Sequence, residues 1–202
     1  MDVNNIHFTA LELKIVRYIF KHYKDKHNAR QLARILRINH AHTNKLCGLL
    51  VKKRLLISET IGNATYFSFS YNNKLSIKFM QYLLGLEEQL FPKWLSIVLY
   101  NLKRFSQHIS FGAIFGSSVN NNNFNDVDVL LVYDKNKIKD IKKIKDEIIK
   151  SQLIEQPIRY VEITEDDVML NKDSKTFYNI FSNNLIFYNA EKYVEVIKKC
   201  HK

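Results

Sequence analysis

Proline occurs twice and glycine five times in 202 residues, too rarely for a collagen-like or Pro/Gly-rich disordered chain. The two cysteines, Cys47 and Cys200, have neither metal-ligand spacing nor the number that a disulfide framework needs, so both read as reduced and incidental. No run approaches the roughly 18 uninterrupted apolar residues of a membrane span. Residues 1–13 contain no basic region followed by an apolar one, so no leader is expected. These absences lead to an expectation of a cytoplasmic protein with no membrane partner. With 46% hydrophobic and 25% charged residues, the composition is that of a globular chain, long enough for one large domain or two small ones.

Charge is distributed unevenly. The formal net charge is +11, and residues 1–75 hold 13 Lys and Arg against 4 Asp and Glu, while residues 76–202 hold 18 against 16. Such asymmetry suggests that the N-terminal part meets a polyanion and the remainder does something else.

Local pattern gives the N-terminal part a shape. Thr9 with Glu12 forms a capping box, flanked by Phe8 and Leu13 in hydrophobic-staple positions. Leu11, Ile15, Val16, Ile19 and Phe20 then recur at helical spacing. Asn28 with Gln31 repeats the capping signal before Leu32, Ala33, Ile35 and Leu36. Asn39 can cap a third helix whose Leu46, Cys47 and Leu50 face a core while His40, His42, Thr43 and Lys45 stay exposed. Two short helices joined by a tight turn make a helix-turn-helix. The β-rich runs 55–60 and 65–70, separated by Ile61, Gly62, Asn63 and Ala64, read as a hairpin in the place of a wing.

The run from Leu32 to Asn39, continued from Leu50 to Leu56, resembles the winged-helix regulators of bacteria and archaea. Those regulators often carry glycine where this chain has Arg37 and Arg54, a change expected to cost little if both turns avoid positive φ. The resemblance implies a recognition helix over residues 40–52 in the major groove of duplex DNA. The expected DNA-binding residues are His40, His42, Thr43, Lys45, Lys52 and Lys53; a winged helix used for protein contacts is the alternative. His40 and His42, two apart, fall on different helix faces and are poor joint metal ligands. Residues 74–106 read as two amphipathic helices divided at Phe91 and Pro92, carrying Ile77, Met80, Leu83 and Leu84, then Trp94, Ile97 and Val98.

Farther on, the apolar run from Ile109 to Phe115 breaks at Gly116-Ser117-Ser118, and the polar stretch from Val119 to Asn125 leads into Asp126-Val127-Asp128-Val129-Leu130-Leu131-Val132-Tyr133. A strand has a period of two, so Asp126 and Asp128 share one face at its start while Val127, Val129 and Leu131 share the other. Two acids heading so apolar a strand call for a counter-charge, which a divalent metal would supply. Ile138, Ile141, Ile144 and Ile148 mark an amphipathic helix. Glu162 follows in the β-rich run Pro157 to Ile163, on the face of Ile158 and Tyr160. The Asn120 to Asn123 run reads as a flexible loop.

Gly116-Ser117, eight further residues and then Asp126-Val127-Asp128-Val129 resemble the DNA polymerase β superfamily of nucleotidyltransferases, in particular its small prokaryotic members. The run from Phe177 to Tyr188 looks like the segment that closes such domains, ending at Asn189 where glycine is frequent. The resemblance implies that Gly116, Ser117 and Ser118 bind the nucleotide, Asp126 and Asp128 hold Mg²⁺, and Glu162 completes the catalytic and metal site.

The expectation is therefore an α+β chain: a winged helix-turn-helix over 1–73, a linking helix over 74–91, and a nucleotidyltransferase-like α/β domain with a mixed sheet over 92–202. Its expected function is Mg²⁺-dependent transfer of a nucleoside monophosphate from an NTP, ATP foremost, to an unknown acceptor, with the winged helix tethering or regulating it on duplex DNA. The alternative is a non-catalytic transcriptional regulator whose transferase-like domain senses nucleotide or mediates oligomerisation, as a homodimer or with a partner protein.

Overall fold

The computed structural model describes residues 7–119, 124–151 and 153–201; the Asn120 to Asn123 run lies outside the described residues. The chain forms two compact units that divide between Leu83 and Leu84.

In the first unit the order is α1 (Ala10–Lys21), β1 (His27–Asn28), α2 (Ala29–Leu36), α3 (His40–Lys52), β2 (Leu56–Ile61), β3 (Ala64–Phe69) and α4 (Lys74–Gly85), which runs just past the division. Both expected capping boxes form. The Glu12 amide donates to Thr9 Oγ1 at 3.2 Å and the Thr9 amide donates to the Glu12 carboxylate at 2.8 Å. Asn28 and Gln31 exchange the same pair of bonds at 2.9 Å each. Asn39 caps α3 through the His42 amide at 3.1 Å. Satisfying these otherwise orphaned amides is worth about 1 kcal/mol per cap.

β2 and β3 pair as a hairpin closed by Ile61 opposite Ala64, and its two-residue turn needs the φ of +57° that Gly62 provides. β1 pairs on the other side of β3, giving the sheet order β1-β3-β2. Ile15, Val16, Ile19, Phe20, Leu32, Leu36, Leu46, Cys47, Leu50, Phe67 and Phe69 fill the core. A helix-turn-helix with a β-hairpin behind it is a winged-helix arrangement.

The two turns flanking α3 do not meet the condition under which arginine costs little there. Arg37 has a φ of 56° and Arg54 a φ of 63°, both in the left-handed region that glycine reaches at no steric cost. Arg37 directly follows the last residue of α2, and Arg54 lies two residues beyond the last residue of α3. At α3 the Leu55 amide reaches back to the Leu50 carbonyl at 3.0 Å and the Arg54 amide to the Val51 carbonyl at 2.9 Å; at α2 the Ile38 amide bonds the Ala33 carbonyl at 2.9 Å. Such caps require the intervening residue to be left-handed, so arginine is forced into a costly conformation. Glycine also relaxes the folded chain at the expense of greater freedom in the unfolded one. Arg37→Gly and Arg54→Gly are each expected to raise unfolding free energy by about 0.5–1 kcal/mol, measured by denaturant titration.

In the second unit, short 3₁₀ turns at Leu86–Leu90 and Lys93–Leu95 precede α5 (Ser96–Leu102), β4 (Phe111–Phe115), β5 (Val127–Val132), α6 (Ile138–Ser151), β6 (Ile158–Ile163), α7 (Glu165–Leu170), α8 (Lys175–Ser182), β7 (Asn184–Tyr188) and α9 (Ala190–Cys200). The expected helix after Pro92 begins as a 3₁₀ turn, and it is rotated so that Leu95, Val98, Leu99 and Leu102 are buried while Trp94 and Ile97 are exposed.

The sheet is mixed, in the order β6-β5-β4-β7, with β5 and β6 parallel and the other pairs antiparallel. α6 is the crossover that a parallel pair needs. On one face Val127, Val129 and Leu131 pack with α5 and with Ile141, Ile144 and Ile148 of α6, each burial worth roughly 1.5–3 kcal/mol. On the other, Phe111 packs against Phe181 of α8 and Tyr193 of α9. The Ile186 amide of edge strand β7 donates to the buried Glu87 carboxylate at 3.2 Å. Asn189, in the place where glycine is frequent, takes a φ of 56° and donates from its side-chain amide to the Ser110 carbonyl at 2.8 Å; asparagine tolerates this region better than most residues.

Candidate functional site

The basic surface of the first unit is built on α3. His40, His42, Lys45 and Lys52 are exposed, as are Ala41 and Asn44, and the helix contains no acid. Two of the expected interface residues are not available. Thr43 is fully buried and donates from its hydroxyl to the Asn39 carbonyl at 2.8 Å, because position 43 shares a helix face with Leu46, Cys47 and Leu50. Lys53 turns inward, bonding the Glu12 carboxylate at 2.6 Å and the His7 carbonyl at 2.7 Å, with its ammonium over the Phe8 ring. Burial pushes the Glu12 carboxyl up, but the hydrogen bonds from Lys53 and Thr9, with the Lys53 charge, hold it below the ordinary carboxylate value. Burial alone pushes the Cys47 thiol up to about 12, in keeping with an inert core residue.

In the second unit Gly116, Ser117 and Ser118 follow β4 directly. Gly116 has a φ of 78°, and a Cβ there would stand 2.3 Å from Oδ2 of Asp128, so the glycine backbone lies against that carboxylate. Ser117 is exposed. Ser118, expected to face nucleotide, is instead fully buried; its hydroxyl donates to the Phe115 carbonyl at 3.4 Å and its own carbonyl accepts from the Trp94 indole at 3.4 Å.

Asp126 and Asp128 lie on one face at the start of β5, Asp128 opposite Phe115 of β4. The counter-charge that sequence reasoning required is present, but it is Arg159 of β6. The parallel register sets Asp128 beside Arg159, and the Arg159 guanidinium bonds the Asp126 carboxylate at 2.9 Å. Burial, and then the Asp126 charge, push the Asp128 carboxyl above its ordinary value, while Arg159 partly offsets them. With the Arg159 side chain 72% exposed, the pair is solvent-screened and adds little stability, of the order of 0–1 kcal/mol.

Glu162 does not join this site. The same register puts it beside Leu131, hence on the α5 and α6 face, opposite the aspartates. There its carboxylate accepts from Lys145 at 2.5 Å and from the Tyr133 hydroxyl at 2.8 Å. The Tyr133 hydroxyl is pushed up to about 12 by burial and by this bonded carboxylate. Among the described residues, no group of three or more His, Cys, Asp or Glu side chains is placed to hold a metal ion. Two aspartates, one bound to a guanidinium, do not fit the two-metal, three-acid centre that the sequence led us to expect. Arg159 is the residue sequence reasoning missed; its one signal was its position, one residue out of step with Ile158, Tyr160 and Glu162.

No family model and no curated protein matches the chain. Matches among solved structures include two crystal structures of the adhesin competence repressor (AdcR) from Streptococcus pyogenes, one of them C-terminally His tagged. They are 13% identical to this chain, cover 75% and 73% of it and 87% and 84% of their own chains, and superpose with TM-scores of 0.36 and 0.35. Scores this low carry neither fold nor function across to this chain.

Two outcomes follow from these electrostatics. Lys53→Met strands a buried carboxylate and should cost about 2–4 kcal/mol at neutral pH. A carboxyl held low in the folded state stabilises above its unfolded value and loses that contribution on acidification; the deficit of Lys53→Met in thermal unfolding should therefore narrow as pH falls below about 4.5. Arg159→Gln removes the cation that lowers Asp128, so a carboxyl NMR titration should find the Asp128 midpoint higher in the variant than in the parent chain.

Proposed function

We propose that the chain is a DNA-binding transcriptional regulator whose second unit is a non-catalytic sensing or assembly unit. The observation that carries this reading is the solvent face of α3, where His40, His42, Lys45 and Lys52 are exposed on an acid-free helix of a winged-helix unit. Residues 1–75 hold 13 basic and 4 acidic side chains, so even complete pairing within this segment leaves nine cations unmatched there. Of those acids, Glu12 is occupied by Lys53 and Glu59 by Lys26. Neutralising DNA phosphates with Lys and Arg releases condensed counterions and supplies most sequence-independent affinity.

The second unit enters this proposal as the place where a nucleotide such as ATP is sensed, or where a second copy or a partner protein attaches. The Gly116-Ser117 turn beside Asp128 supports the sensing role. Mg²⁺-dependent transfer is set aside because Arg159 neutralises Asp126 and because Glu162 is engaged by Lys145 and Tyr133 on the other face. Purified protein with ATP and Mg²⁺ is expected to release no pyrophosphate above background; release abolished by Asp126→Asn and Asp128→Asn would restore the transferase reading.

The DNA reading is tested with the full chain and a labelled duplex. Fluorescence anisotropy should report a log–log dependence of affinity on salt with a slope of about −0.9 for each phosphate neutralised. Lys45→Ala and Lys52→Ala should each weaken binding several-fold near 0.1 M salt and flatten the slope by about 1. Affinity indifferent to salt, or no binding at low salt, would count against the proposal and favour a winged helix that contacts protein.

A further inference from the structure

Arg37 and Arg54 bracket α3. Arg37 lies two residues before the Asn39 cap and Arg54 two residues after the last helical residue, Lys52. Both side chains are exposed, and neither guanidinium has an ion-pair partner among the described residues. Both backbones are held left-handed by the hydrogen bonds that end α2 and α3. At Arg54 the carbonyl also accepts from the Ser76 hydroxyl at 2.7 Å, which adds to the bonds that hold this turn. The fold therefore specifies glycine twice and receives arginine twice, at the two ends of the same helix.

Local strain that the surrounding structure over-determines points to a role outside folding. A helix of 13 residues is roughly 20 Å long, whereas the major groove of B-DNA is about 12 Å wide. When such a helix occupies the groove, its ends lie near the phosphate chains on either side, and a cation just beyond each end meets phosphate rather than base edges.

We infer that Arg37 and Arg54 are a pair of phosphate anchors that fix α3 in the groove of duplex DNA from both ends. The inference rests on the DNA-binding reading above and adds two residues to the exposed helix face. Arginine suits the task because its planar fork can bond two phosphate oxygens at once. Its competitor is a purely structural account, in which a cation past a helix C-terminus interacts favourably with the helix dipole.

The two accounts predict opposite results for glycine. As anchors, the arginines are retained against the preference of the fold: Arg37→Gly and Arg54→Gly should raise the melting temperature, weaken duplex binding about fivefold each near 0.15 M salt, and lower the salt slope by about 0.9 per substitution. The double variant should bind about 25-fold more weakly at that salt. Arg37→Lys and Arg54→Lys keep the charge and should keep the slope. Because the glycine variants gain stability, their loss of binding cannot come from misfolding. If the parent chain binds DNA and the double glycine variant binds with the same affinity and slope, the anchors are overturned while the DNA-binding reading stands. A lower melting temperature with unchanged binding would assign the arginines to the helix dipole and also overturn the inference. If the parent chain binds no duplex at low salt, both readings fall together.

Discussion

The chemistry of the second unit depends on the parallel register between β5 and β6, which pairs Asp128 with Arg159 and Leu131 with Glu162. Because side chains alternate across a sheet, a shift of one residue would exchange the two faces of β6. Glu162 would then share the aspartates' face, and Arg159 would be directed towards the apolar packing of α5 and α6. That slip is opposed by the half-buried Ile158 and Tyr160, which pack against the same cluster as Val127, Val129 and Leu131. Hydrophobic burial thus chooses the register, and the register decides which charged group reaches the aspartates. A guanidinium beside the pair is a consequence of how the core packs.

The same dependence of charge on packing governs the first unit. Lys53 follows a stretch rich in exposed basic residues and by composition belongs with Lys45 and Lys52. Its ammonium goes instead to Glu12, whose carboxylate is fixed by the start of α1 and shielded from solvent. A buried acid has first claim on a nearby base, since leaving it unpaired costs more than removing one cation from the surface. Thr43 is withdrawn for a simpler reason, its place on the core face of α3. The exposed basic surface of α3 is what remains after core and counter-charge have taken their share.

Local chemistry was legible in the sequence, whereas relations between distant segments were not. The caps at Thr9, Asn28 and Asn39, the Gly62 turn and the alternation of β5 each depend on residues within a few positions of one another, and each is found where the spacing put it. Glu162 also falls on the face of Ile158 and Tyr160, as period two required. Nothing within Pro157 to Ile163 could say which face of β5 that would be, because pairing partners are set across the sheet. The φ values at Arg37 and Arg54 were left open by the sequence for a related reason. An arginine at a turn argues locally for negative φ, but the backbone bonds from Leu55 to Leu50 and from Ile38 to Ala33 override that preference.

Three arginines, Arg37, Arg54 and Arg159, stand where neither local propensity nor the expected chemistry calls for one. In each case the surrounding structure sets the backbone and leaves the guanidinium at least largely exposed. Exposure keeps the hydration cost of each charge small, so the cations add little to stability and remain available to anions. At β6 the anion is internal, the Asp126 carboxylate, and by pairing with it Arg159 also offsets part of the repulsion that Asp126 exerts on Asp128. At the ends of α3 no ion-pairing acid is found among the described residues, and over residues 1–75 the cations outnumber the acids by nine. A cation satisfied by its own chain neutralises a site, whereas an exposed cation held in a strained conformation is available to a ligand from outside. That difference separates Arg159 from Arg37 and Arg54, and with it the neutralised face of the sheet from the helix proposed to meet DNA.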